Sequence, residues 1–200
     1  MINNNGVKKM DNADIKYFTN KELKAFFKAI EKDNSKYRVR NECIFKLAYY
    51  CALRVSEVAL IQVDDFNNSR NEIYCRRLKG SLNNTIRIVD PDILRSVKRY
   101  LRTINNDTMF ISQKGLPISR KTLDKLMKKY CEIAKIKDKD KWHFHTLKHT
   151  RAVDLAEIGL DLKEIQYWLG HKEISNTQIY FQFTSSQYET LYKKLKKDKF

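Results

Sequence analysis

Near its C-terminus the chain reads Leu169-Gly170-His171-Lys172-Glu173-Ile174-Ser175-Asn176-Thr177-Gln178-Ile179-Tyr180. This stretch holds a histidine and a tyrosine nine positions apart, and its surroundings read as short helices. Asp161 caps a helix that reaches Leu169, and Ser175 or Asn176 caps a short one carrying Tyr180. Upstream, a helix from about Thr146 to Ile158 stops at Gly159.

Working outward, the same helical spacing recurs. Thr19-Asn20-Lys21-Glu22 has the form of a capping box, and Leu23, Phe26, Phe27 and Ile30 follow at helical spacing, so a first amphipathic helix runs to about Glu31. A second spans about Tyr37 to Ala52, with Ile44, Leu47, Ala48 and Cys51 on one face. Leu53-Arg54-Val55-Ser56-Glu57 then reads as a turn capped by Ser56. Asp64 to Asn71 is a polar loop. Glu72 to Leu78 and Thr85 to Val89 are β-branched and aromatic runs flanking Lys79-Gly80-Ser81-Leu82-Asn83-Asn84, which predicts a β-hairpin. Asp90-Pro91 opens a helix to about Arg102, and Ser119 caps another with an apolar stripe of Leu123, Leu126, Met127, Tyr130 and Ala134. The fold class expected is mainly α with a small antiparallel sheet.

Composition narrows the partners. The 200 residues are 42% apolar, enough for one sizeable core. A formal charge of +16 favours a polyanion, with nucleic acid ahead of membrane because no stretch approaches the roughly 20 apolar residues that span a bilayer. Between Lys114 and Arg151 there are twelve Lys or Arg against four Asp or Glu, an excess suited to a phosphate-facing surface. Met1 to Tyr17 is a polar leader without a signal-peptide run, so a cytoplasmic location is expected. Cys43, Cys51, Cys75 and Cys131 form no C-x-x-C pair and read as reduced core residues.

A polyanion partner raises the question of what cuts and rejoins a phosphodiester without a metal. A tyrosine hydroxyl can attack phosphorus, but its pKa near 10 demands help with the proton. Charge gathers on the nonbridging oxygens, which guanidinium groups can clamp through paired hydrogen bonds. The leaving oxygen needs a proton, which a nearby lysine can give.

Residues of these types occur in ordered boxes: Cys51-Ala52-Leu53-Arg54-Val55-Ser56-Glu57-Val58, Lys79-Gly80, His145-Thr146-Leu147-Lys148-His149-Thr150, and Leu169-Gly170-His171 followed by Tyr180. In order and spacing they resemble the tyrosine recombinase, or phage integrase-like, family over about Phe18 to Phe183. The resemblance implies a catalytic domain over residues 18–183 that performs site-specific DNA recombination through a covalent 3′-phosphotyrosine, with no metal and no cofactor. It implies that Arg54 clamps the phosphate with Glu57 as its buttress, that Lys79 protonates the leaving 5′ oxygen, that His145 and His171 handle protons, and that Tyr180 is the nucleophile.

Two departures stand out. Lys148 occupies the place of the family's second arginine, and a lysine cannot offer the planar two-point grip of guanidinium. Arg151, three residues on along the same helix, is a candidate to lend its guanidinium. The short leader makes the layout similar to the small invertases that flip promoter segments, so inversion is the preferred role, with integration, excision or dimer resolution within the same chemistry. The resemblance further implies double-stranded DNA with inverted or direct repeats as partner, a tetramer on two sites, and no membrane. The C-terminal helix over 184–200, with Tyr188, Leu191, Tyr192 and Leu195 as its stripe, is the candidate contact between protomers. A DNA-binding regulator of the same fold and a type IB topoisomerase-like activity are the competing readings.

Overall fold

The Glu22 backbone N–H donates to Thr19 Oγ1 at 3.3 Å, and the Thr19 N–H donates back to the Glu22 carboxylate at 2.8 Å. This capping box starts α1 (Asn20–Glu31) in the computed structural model, which describes residues 15–78, 80–181 and 192. The apolar stripe of α1 lies against α2 (Arg38–Tyr50), the helix around which the core is assembled. Every residue of α2 from Arg40 to Ala48 is buried, because α4 (Pro91–Leu101) and α6 (His145–Glu157) cover its other sides. Phe45 sits at the centre, 5.4 to 5.6 Å from the rings of Phe26, Tyr130 and Phe144. Each such side chain contributes about 1.5 to 3 kcal/mol by burial.

Asp90 and Ser119 cap α4 and α5 (Arg120–Ile133) through their side-chain oxygens, as their sequence signals predict. Leu123, Met127 and Tyr130 of α5 are buried and Leu126 is half-buried.

The small sheet is antiparallel, in the order β1 (Phe66–Asn67), β2 (Glu72–Cys75), β3 (Asn84–Arg87). Its register pairs Ile73 with both Phe66 and Ile86. Here the structure corrects the loop expected over Asp64 to Asn71. A two-residue strand lies within it, carried by its pairing with β2 and too short to signal itself by alternation.

Two caps also differ from expectation. The short helix α3 (Val55–Val58) begins after Arg54, whose backbone N–H meets Glu57, and not at Ser56. The short helix α8 (Ser175–Gln178) has Ile174 at its cap position and no side-chain cap; neither Ser175 nor Asn176 supplies one. It continues into a 3-10 turn over Ile179–Phe181.

Beside the main core lies a smaller cluster: Ala52, Ala152, Leu155, Ala156, Ile165 and Leu169, with Tyr180 among them. It joins α6, α7 (Leu162–Leu169) and the Tyr180 turn. All four cysteines are buried. Among the described residues, no helix is long and apolar enough to cross a membrane. Of the C-terminal stripe, Tyr188, Leu191 and Leu195 lie outside the described residues, and Tyr192 is 57% exposed.

Candidate active site

The site begins where α2 ends. Leu53 N–H bonds back to the Ala48 carbonyl and Ala52 N–H to Tyr49, which forces Ala52 into a left-handed conformation with φ +51°. That backbone costs a non-glycine residue about 1 to 2 kcal/mol. Its consequence is that the Cys51 and Ala52 carbonyls turn toward Arg77 and Lys148. Arg77 Nη2 donates to the Cys51 carbonyl at 2.9 Å, and Arg77 Nη1 and Lys148 Nζ each reach the Ala52 carbonyl at 3.2 Å.

Arg54 leaves this turn with its Nη1 donating to Glu57 Oε1 at 2.8 Å and to Ser81 Oγ at 2.7 Å. Its side chain is 30% exposed, and Glu57 is wholly buried beneath it. Glu57 is therefore not a surface carboxylate. Burial acts to raise its carboxyl, but the Arg54 backbone N–H, the charge of Arg77 and the hydrogen bond from the Arg54 side chain prevail and hold it below its ordinary range. Among the described residues, only Nη1 of the Arg54 guanidinium is engaged, so the rest of the fork is available to a ligand.

A cavity of about 420 Å³ opens beside Arg54, lined also by Leu78, Arg120, Lys128, Trp142 and His145. Only part of the basic excess between Lys114 and Arg151 faces it. Lys129 and Lys141 are instead tied to Asp33 and Glu22 at 3.0 and 2.7 Å. Lys79 lies outside the described residues. Its neighbour Gly80, at φ +83°, turns the chain toward Ser81.

From α7, Gly170 ends the helix with φ +65°, and the Leu82 N–H donates to its carbonyl at 2.9 Å. A Cβ at position 170 would meet the Leu82 carbonyl oxygen at 2.8 Å and Arg77 Nε at 2.9 Å, so this crossing requires glycine. The crossing pairs Ser81 with His171 in an isolated bridge and so brings the Arg54 and His171 segments together. His171 is 6% exposed, and its Nδ1 lies 3.0 Å from Thr177 Oγ1.

From α6 come His145, Lys148 and His149. Lys148 is only 1% exposed, and its Nζ donates to the Leu169 carbonyl at 2.7 Å as well as to Ala52. The position expected to meet phosphate thus ties two loops together. Burial, with Arg77 and Arg54 nearby, depresses its pKa well below the ordinary lysine value. Arg151 does not turn toward the cavity. Its guanidinium lies over the rings of Tyr50 and Trp168 at 4.6 and 4.9 Å, on an aromatic shelf formed with Tyr49, so it is not placed to lend a hand to Arg54.

Tyr180 is 6% exposed, with its hydroxyl 2.7 Å from His149 Nδ1. Burial raises its pKa, opposed by the positive charge of Arg54. His149 and His171 are held neutral, at about 4 and about 3, chiefly by burial and then by neighbours that oppose an added positive charge, His145 and Lys148 in the first case and Lys148 and Arg54 in the second. His145 is likewise drawn to about 4 by the protein around it and by Lys148 and Arg54, but its ring is exposed at the cavity and solvent screens part of that effect.

Arg54, His145, His171 and Tyr180 therefore converge from the α2–α3 turn, the start of α6 and the segment after α7, with Lys148 behind them. The arrangement offers a guanidinium and an imidazole at a basic cavity, from Arg54 and His145, with the buried His171 imidazole and Tyr180 phenol behind it. Arg77, Ser81, His149 and Thr177 were not singled out by the sequence. Arg77 had a signal: the alternation that turns Ile73 and Cys75 of β2 inward, carried two residues past the strand, turns Arg77 inward too, while Arg76 turns outward to Asp65.

Similar proteins share this frame. XerA, a tyrosine recombinase of Pyrococcus furiosus, is 33% identical over 175 residues, which cover 85% of this chain and 58% of that protein. XerC, a tyrosine recombinase of Listeria monocytogenes serovar 1/2a, is 29% identical over 189 residues, 90% of this chain and 61% of its own. The chain thus spans about three-fifths of the length of these relatives. Among solved structures, XerH site-specific recombinase bound to difH substrate in a pre-cleavage complex superposes with a TM-score of 0.75 at 25% identity, covering 88% of this chain and 53% of that one. The catalytic domain of bacteriophage HP1 integrase superposes at 0.65 and 16% identity, over 90% and 95% of the two chains, a likeness of fold. The phage integrase family pattern matches residues 16–187, nearly the whole chain, and on that match the chain belongs to the phage integrase family.

Proposed function

We propose that this chain carries the strand-cleaving and strand-rejoining site of a site-specific DNA recombinase. The observation that carries the reading is that Arg54 and His145 line one basic cavity, while the Ser81–His171 bridge and the His149–Tyr180 contact bring the buried His171 and Tyr180 up behind it. In the proposed reaction Tyr180 attacks the scissile phosphorus, Arg54 and the neutral His145 and His171 receive the nonbridging oxygens, and Lys79 protonates the leaving 5′ oxygen. A 3′-phosphotyrosine then stores the bond until another 5′ hydroxyl attacks it. Arg54 suits its part because Glu57 holds Nη1 from below, which fixes the fork without a reorganisation cost. Lys148 supplies positive charge from behind, and Glu57 and Arg77 keep the loops in place.

The partner in this reading is double-stranded DNA, in keeping with the charge of +16 and with the difH complex of a similar recombinase. Inversion between repeats, by four protomers on two sites in the cytoplasm, is the preferred outcome. The burial of Lys148 and of Tyr180 favours one second reading, a DNA-binding regulator of the same fold.

A binding site selected from random DNA by the full chain, then nicked near its centre, tests both. Covalent protein–DNA adduct that disappears in Tyr180→Phe supports the recombinase, and inverted product from a two-site plasmid identifies the outcome. Binding without adduct assigns the regulator, whereas adduct with supercoil relaxation and no inversion assigns topoisomerase-like activity.

A further inference from the structure

Three histidines surround the tyrosine, and they are not equivalent. His145 lies exposed on the cavity with Arg54. His171 directs Nδ1 to Thr177. His149 alone among the described residues is hydrogen-bonded to the Tyr180 hydroxyl, at 2.7 Å, with ring centroids 5.7 Å apart. His145 and His149 are one helical turn apart on α6, their rings edge to face at 4.4 Å, so one helix face presents the first to the cavity and the second to the phenol.

We propose that His149 is the catalytic residue that accepts the proton of Tyr180, a division of labour in which His145 and His171 serve the phosphate. The proposal rests on the recombinase reading above. As Tyr180 Oη forms its bond to phosphorus, its O–H bond breaks and the proton moves to His149 Nδ1, giving an imidazolium. The P–O5′ bond breaks with its electron pair on the leaving oxygen, which takes a proton from the general acid of that reaction. On rejoining, an incoming 5′ hydroxyl gives its proton to the conjugate base of that general acid as its oxygen bonds to phosphorus, the bond from phosphorus to Tyr180 Oη breaks with its electron pair on the phenol oxygen, and the imidazolium returns its proton there.

The resting geometry suits this sequence of events. Acceptance at Nδ1 requires the tautomer with the proton on Nε2. Burial and the nearby His145 and Lys148 keep the ring neutral and therefore able to accept. In the absence of DNA the proton stays on the buried phenol. A bound phosphodiester brings a negative charge that offsets Lys148, raising the proton affinity of the imidazole when transfer is needed.

The test compares full-length wild type, His149→Ala, His149→Gln and Tyr180→Phe on the selected nicked duplex and on a matching duplex with a 5′-bridging sulfur, a leaving group that needs no proton. Loss of a general base lowers adduct formation by about a hundredfold to ten-thousandfold. That loss is expected in both His149 variants and on both duplexes. Wild-type rates in either variant overturn the proposal, as does rescue by the sulfur duplex, which would put His149 on the leaving-group side. If His149→Ala does not fold, His149→Gln carries the kinetics. In the DNA-free protein, the ¹⁵N resonance of His149 Nδ1 is expected to move in Tyr180→Phe, and an unmoved resonance overturns the pairing itself. Wild type that forms no adduct on either duplex overturns the recombinase reading and the base role with it, whereas adduct in wild type at equal rates in His149→Ala overturns the base role alone.

Discussion

Lys148 Nζ donates to the Leu169 carbonyl at 2.7 Å, joining the first turn of α6 to the last residue of α7 just before the Gly170–His171 turn. With its second bond to Ala52, the same ammonium secures the turn that launches Arg54. An arginine side chain would place Cζ where lysine places Nζ, and its two terminal nitrogens one bond further out. Lys148→Arg is therefore expected to keep the carbonyl contact and also reach the cavity, raising the cleavage rate at least tenfold, or about 1.4 kcal/mol of barrier. Lys148→Met should leave the Leu169 carbonyl without this partner and lower stability by about 1 to 3 kcal/mol. Single-turnover adduct formation and urea denaturation measure the two effects. An arginine variant no faster than wild type would mean that this position serves the backbone only.

Gly170 makes the crossing with Leu82 and Arg77. Gly170→Ala combines a left-handed conformation that costs about 1 to 2 kcal/mol with a contact at 2.8 Å against backbone. Overpacking of that kind adds about 1 to 3 kcal/mol. Denaturation midpoints should report a total loss of roughly 2 to 5 kcal/mol. A neutral substitution would show that the turn relaxes without disturbing Arg77.

Arg151 packs its guanidinium on Tyr50 and Trp168. Arg151→Ala should reduce stability by about 1 to 3 kcal/mol, through lost cation–π contact and lost packing. The rate of adduct formation from folded protein should stay within twofold of wild type. A hundredfold slower reaction would instead return Arg151 to the chemistry.

Acid should loosen the site before it affects the carboxylates. His149 and His171 have native pKa values of about 4 and about 3, below the ordinary 6.5. The unfolded chain therefore binds their protons first as pH falls. Their stabilising effect is intact above pH 6.5 and is lost progressively down to about pH 4 and 3. Within that window each histidine contributes at most about 1.4 kcal/mol per pH unit. Glu57, held below its usual 4.5, acts only at the lower end. Urea midpoints at pH 7, 5.5 and 4.5 should fall, and fall less steeply in His171→Gln. Equal midpoints at all three would contradict the neutral histidines.

Much of the scaffold was legible because its signals are local. Thr19, Asp90, Ser119 and Asp161 cap the helices their spacing predicts, and a β-branched and aromatic run marked β2. The strand β1 was not, since two residues carry no period of their own and depend on the register with Ile73. In the site, the boxes named Arg54, His145, His171 and Tyr180, and the fold brings them together. What the boxes could not supply was orientation. The lysine at 148 turns into the protein because the left-handed Ala52 offers a carbonyl there, a fact of tertiary geometry. His149 was quoted with its box and given no part, because only the return of the chain after α7 sets Tyr180 against it.

The small cluster that holds Tyr180 has a thermodynamic consequence. The four-residue α8 and the 3-10 turn after it rest on that cluster, away from the rings around Phe45. Such a segment forms its own cooperative unit, with an opening free energy below that of the whole fold. Amide hydrogen exchange should show residues 174–181 exchanging faster than α2 at the same pH. Tyr180, the proposed nucleophile, then rides on a segment that opens more readily than α2, so its exposure is a local equilibrium that DNA can shift without melting the domain.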